Sequence, residues 1–90
     1  MTPDQIELAR HALGLPNADN KSYRNYFCAG PGHSDFSHWT EMVSAGDAVT
    51  EKRDGFGGDH LFWLTLSGTK KAIRDGEVID ASDFPEILRK

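Results

Sequence analysis

The most constraining stretch of this chain is His60-Leu61-Phe62-Trp63-Leu64-Thr65-Leu66. Read as a strand, it puts Leu61 and Trp63 on one face and Phe62, Leu64 and Leu66 on the other. Both faces are apolar, so both must be at least partly covered, and the segment belongs inside the fold. Residues 48–53 supply a partner strand. Asp54-Gly55 and Gly57-Gly58 between the two are turn chemistry, so residues 48–66 are expected to form a β-hairpin.

The cover must come from helices, and the first is announced at the start of the chain. Thr2-Pro3-Asp4-Gln5 combines a hydroxyl N-cap, a proline at the first helical position and a glutamine that completes a capping box. The helix is expected over residues 3–13, with Ile6, Ala9 and Leu13 on its apolar stripe. Gly14 suits the left-handed position after its end, and Pro16 stops it. A second helix is expected over residues 35–45, capped by Ser34 or Asp35 and closed by Gly46. Its inward stripe is Phe36, Trp39, Met42 and Val43. A third, short helix begins at a Thr65 or Ser67 cap, runs through Lys70, Ala72 and Ile73, and ends by Gly76. Residues 22–27 hold three aromatics in five positions; their alternation suits a short strand, whereas Ser22 as an N-cap suits a single helical turn, which is the reading adopted. Ala29-Gly30-Pro31-Gly32 is a loop. The expected division is one domain over residues 1–76 and a C-terminal tail over 77–90 that either docks or hangs free. The fold class is therefore a small α+β single domain.

Composition narrows the function classes. Hydrophobic residues make up 38% of the 90, which suffices for one core without metal or disulfide support. The single Cys28 cannot close an intrachain disulfide, which favours a reducing, cytoplasmic setting. No basic and apolar leader and no run of about 18 apolar residues is present, so neither export nor a membrane span is expected. The formal charge of −4 opposes polyanion binding unless cations gather on one face.

Two resemblances add to this reading. Residues 39–46, then Ala48-Val49, a polar tip and Leu61-Phe62-Trp63-Leu64-Thr65 with Gly68, resemble the recognition helix, wing and closing "LT..G" of winged-helix regulators over roughly residues 35–74. The wider pattern is similar to that of small proteins of bacteriophages and prophages. It comprises Ser22-Tyr23-Arg24-Asn25, Ala29-Gly30-Pro31-Gly32-His33, Trp39, Gly46 and Phe56-Gly57-Gly58-Asp59. The resemblances imply a winged-helix-like fold and a phage accessory role, such as gene regulation or inhibition of a host factor.

The helix that a winged-helix regulator inserts into the major groove reads bases with Arg, Lys, Asn or Gln. Residues 35–45 contain none of the four and carry Asp35 and Glu41 instead. Cations lie elsewhere: Lys21 and Arg24, then Lys52, Arg53, Lys70, Lys71 and Arg74. The last five are the candidate phosphate contacts of a DNA-binding reading, for which a homodimer is one arrangement. A third reading, acidic mimicry of DNA through Asp35, Glu41, Asp75, Glu77, Asp80 and Asp83, has only a modest net charge behind it.

Enzymatic readings are weaker. Cys28, His33 and His38 have Cys-x4-His-x4-His spacing, with Asp35, Asp59 and His60 as further candidate ligands, but no tight ligand pair of the Cys-x2-Cys kind. A Cys28-His33 nucleophile pair would need an activated thiolate beside a base, and the loop glycines are already explained by a turn. No phosphate-binding glycine motif is present. The expectation is a protein that is not an enzyme and has no cofactor, metal or membrane partner. Its binding residues are Tyr23, Arg24, Tyr26, His33, Phe56 and His60, its partner a host or phage protein, with nucleic acid second.

Overall fold

A computed structural model describes residues 1–52 and 60–84. Three helices, α1 (Pro3–Leu13), α2 (Phe36–Ser44) and α3 (Leu66–Ala72), pack with three strands, β1 (Phe27–Ala29), β2 (Ala48–Lys52) and β3 (His60–Leu64). The sheet is antiparallel in the order β1-β3-β2. This is the expected small α+β domain, with the apolar segment as its central strand. None of the described helices is long and apolar enough to cross a membrane.

Strand alternation sorts the sheet into two faces. Phe62 and Leu64 of β3, with Ala29 and Ala48 beside them, are buried on the helix side, where Trp39 stacks on Phe62 at 5.5 Å. Leu13, Met42 and Phe84 complete that core, each at most 1% exposed. The opposite face carries Leu61 and Trp63, both half-buried, beside exposed Cys28 and Val49.

The α1 capping box forms as the sequence dictates: Gln5 N–H donates to Thr2 Oγ1 at 3.2 Å, and Thr2 N–H donates to Gln5 Oε1 at 3.1 Å. At the other end Gly14 takes φ +80°, and a Cβ there would collide with the Tyr23 ring, so glycine is required twice over.

Residues 22–26 form no helical turn. Tyr23 and Tyr26 N–H groups donate to Leu13 and Ala12 carbonyls, each at 3.2 Å, and Ser22 N–H donates to Val78 O at 2.9 Å. These donors satisfy the free carbonyls at the end of α1 and tie down residue 78, so the segment stays extended and runs into β1. At α2, Asp35 precedes the helix but makes no side-chain cap. Its N–H instead donates to Nδ1 of His33 at 3.1 Å. The central strand ends at Leu64, two residues earlier than its apolar pattern suggests. Thr65 Oγ1 accepts from Gly68 N–H at 3.1 Å, which turns the chain into α3 with Leu66 as its first residue.

That junction gives the Leu64-Thr65…Gly68 pattern a local cause. Thr65 also donates through Oγ1 to Gly46 O at 2.8 Å and through its N–H to Asp47 O at 3.1 Å. Gly68 faces the Asp47 carbonyl so closely that a Cβ would overlap it. Alanine would raise intrinsic helix propensity by about 1 kcal/mol. Because the obstacle is backbone, Gly68→Ala is nonetheless expected to lower stability by about 2 kcal/mol. Urea denaturation checks this: a shifted midpoint with an unchanged slope is the expected result.

Residues 77–84 pack on the body. Val78 forms a parallel bridge with Lys21, Asp80 N–H donates to Ser22 Oγ at 2.9 Å, and Phe84 is fully buried. Arg10, only 3% exposed, meets Glu77 in a bidentate pair at 2.6 and 2.7 Å and also donates to Ala72 O at 3.0 Å. The boundary after residue 76 thus falls inside a packed region.

Candidate binding surface

Tyr23, Arg24 and Tyr26 come together at the C-terminal end of α1. Tyr23 is 61% exposed and Tyr26 53%. The Arg24 guanidinium lies between them, 5.2 Å from the Tyr23 ring centre and 5.8 Å from that of Tyr26. Its Nε and Nη2 donate to the His11 carbonyl at 3.3 and 2.7 Å. A cation is favoured at that position because the last carbonyls of a helix carry partial negative charge. Asn25 fixes the backbone in between. Its Oδ1 accepts from Leu64 N–H at 2.8 Å, and its Nδ2 donates to Leu64 O at 3.0 Å. The result is two exposed aromatic rings on an anchored backbone, flanking a guanidinium held by hydrogen bonds to the His11 carbonyl.

The other expected binding residues are placed differently. His33 and His60 lie toward the far end of β1, where Ala29 pairs with His60. His33 is 3.7 Å from the Asp35 carboxylate. His60 is half-buried, with its ring 5.3 Å from Phe36 and 6.2 Å from Phe62, so it packs in the aromatic row. Phe56 and Arg53 lie outside the described residues, as does the side chain of Lys52.

On α3, Lys71 pairs with the buried Asp47 carboxylate at 2.7 Å; Arg74, expected on the same helix, lies two residues past its end and meets Glu7 at 3.5 Å. Lys70 is exposed on the same helix. The solvent side of α2 presents Ser37, Glu41 and Ser44. Cys28 and His38 stand on opposite sides of the sheet: Cys28 points away from the helices, whereas His38 sits on α2. Among the described residues no group of three or more His, Cys, Asp or Glu is arranged to hold a metal ion.

A groove between α1 and α2 was not legible as a unit in the sequence. It encloses about 520 Å³, with Leu8 and Phe27 as apolar lining and Asp4, Glu7, His11, Asp35 and His38 around them. The signal available was spacing: Asp4, Glu7 and His11 recur at i, i+3 and i+7 on one helix face, and Asp35 and His38 at i, i+3. That these two rows face each other depends on tertiary packing. The groove adjoins the Tyr-Arg-Tyr cluster, since the His11 carbonyl holds Arg24 and Phe27 follows Tyr26 in the chain.

Set against family models, curated proteins and solved structures, the chain shows no match.

Proposed function

We propose that this chain is a non-catalytic binding module that captures another protein through Tyr23, Arg24 and Tyr26. The observation that carries the reading is the pair of exposed tyrosines around an arginine already fixed on the His11 carbonyl. Tyrosine and arginine dominate interface hot spots, and a side chain ordered in advance loses little entropy on binding. Resemblance to small phage proteins supplies the setting, an accessory protein that modulates a host factor.

A winged-helix DNA reader is the competing reading. Against it stand the composition of α2, whose outer face holds Glu41 and no cation, and the engagement of Lys71 and Arg74 with carboxylates. Cationic contacts with phosphates supply most DNA affinity. A duplex titration at about 50 and 200 mM salt decides between them. The expected result is no saturable binding at either salt. Saturable binding that weakens steeply with salt would establish the DNA reader instead.

A further inference from the structure

The groove between α1 and α2 offers a chemistry that the Tyr-Arg-Tyr cluster does not. Its apolar lining is Leu8 and Phe27, both half-buried, and three carboxylates stand around them, Asp4 and Glu7 from α1 and Asp35 from α2. Among the described residues no lysine or arginine lines it. At its margins Arg74 reaches Glu7 at 3.5 Å with both side chains exposed, and the His33 ring lies 3.7 Å from the Asp35 carboxylate. His38 lines the groove as well, its Nδ1 shielded from solvent and without a hydrogen-bond partner among the described residues.

We infer that this groove receives an arginine-bearing segment of the protein partner, with an apolar side chain seated against Leu8 and Phe27 and guanidinium groups among Asp4, Glu7 and Asp35. The inference rests on the protein-binding reading above and names the chemistry of that partner. Charge complementarity selects a basic occupant over an acidic one. The number of acceptors selects arginine over lysine: a guanidinium carries five donors in a fixed fork, enough to serve carboxylates from two helices together. The groove adjoins the Tyr23, Arg24 and Tyr26 cluster at His11, whose carbonyl holds Arg24 and whose side of α1 lines the groove.

The test uses the full chain and a defined probe, acetyl-Arg-Leu-Arg-amide, titrated into nitrogen-15-labelled protein and followed by amide chemical shifts. The expected result is saturable shifts concentrated at residues 4–11, 27 and 34–38. The isosteric citrulline peptide, which keeps the shape and loses the charge, should bind about tenfold more weakly. The triple variant Asp4→Asn, Glu7→Gln, Asp35→Asn should abolish that difference, whereas Lys70→Gln, outside the groove, should preserve it. The wild type alone also decides the matter, since affinity for the arginine peptide must fall as salt rises. Equal binding of the two peptides, shifts scattered over carboxylates elsewhere, or no binding at millimolar peptide would each overturn the inference. Because no partner protein enters this experiment, its failure leaves the Tyr23–Arg24–Tyr26 reading standing, and that reading is tested separately by partner capture.

Discussion

Replacing Glu77 by glutamine is expected to destabilise the fold by about 3 to 5 kcal/mol, a large part of the roughly 5 to 15 kcal/mol typical of a domain. The reason is Arg10. Its side chain is 3% exposed and is met by the Glu77 carboxylate at 2.6 and 2.7 Å. Glutamine keeps the shape and leaves a buried cation unpaired. Replacing both partners with apolar residues, as in Arg10→Met with Glu77→Leu, should recover most of the loss, because it removes both desolvation penalties together.

The same pair makes stability depend on pH. The hydrogen bonds from Arg10 hold the Glu77 carboxyl down from 4.5 to about 2, and the Arg10 pKa is raised by the same contact. A depressed carboxyl stabilises the fold fully above its unfolded value and loses that contribution as pH falls. The wild type should therefore lose stability between 4.5 and about 2. Asp83 works in the opposite sense: burial first, and Asp80 second, raise its pKa, so its protonation favours the folded state. The difference between wild type and Glu77→Gln isolates Glu77, and chemical denaturation across that range should show the two curves converging toward low pH.

Ending the chain after Gly76 is expected to abolish cooperative folding. The cut removes Glu77 and with it the countercharge of Arg10. It also removes Phe84, fully buried against the core, at a cost of about 3 to 5 kcal/mol by itself. The backbone partners of residues 20 and 22 go as well, since Val78 N–H donates to Asn20 O and Ser22 N–H donates to Val78 O, both at 2.9 Å. Together these losses match or exceed the stability of an ordinary small domain. Loss of near-ultraviolet circular dichroism and of amide shift dispersion is the expected signature. A truncated chain that still unfolds in one sharp transition would mean that residues 77–84 are an accessory to the fold.

What the sequence made legible was mostly local. Thr2, Pro3 and Gln5 dictate where α1 begins through contacts within four residues, and the apolar run at residues 60–64 dictates a central strand whatever surrounds it. What stayed hidden depended on distant parts of the chain. Residues 22–26 look helical in isolation, yet their N–H groups are taken by carbonyls of residues 12, 13 and 78. Glu77 reads as a surface acid until Arg10, 67 positions away, is seen to bury it. The proposed binding surface divides in the same way. Tyr23, Arg24 and Tyr26 are neighbours in sequence and were found together, whereas the groove needs α1 set against α2. His60 was singled out by residue type, and the aromatic rings of Phe36 and Phe62 account for it as packing.

The most direct measurement is quantitative capture from a bacterial lysate with three baits: the wild type, the double variant Tyr23→Ala with Arg24→Ala, and an α2 variant, Ser37→Ala with Glu41→Ala and Ser44→Ala. The expected outcome is a protein enriched by the wild type and the α2 variant and reduced about thirtyfold or more with the double variant, as loss of a hot spot of at least about 2 kcal/mol requires. Recovery of the same proteins by all three baits, or loss confined to the α2 variant, would contradict it.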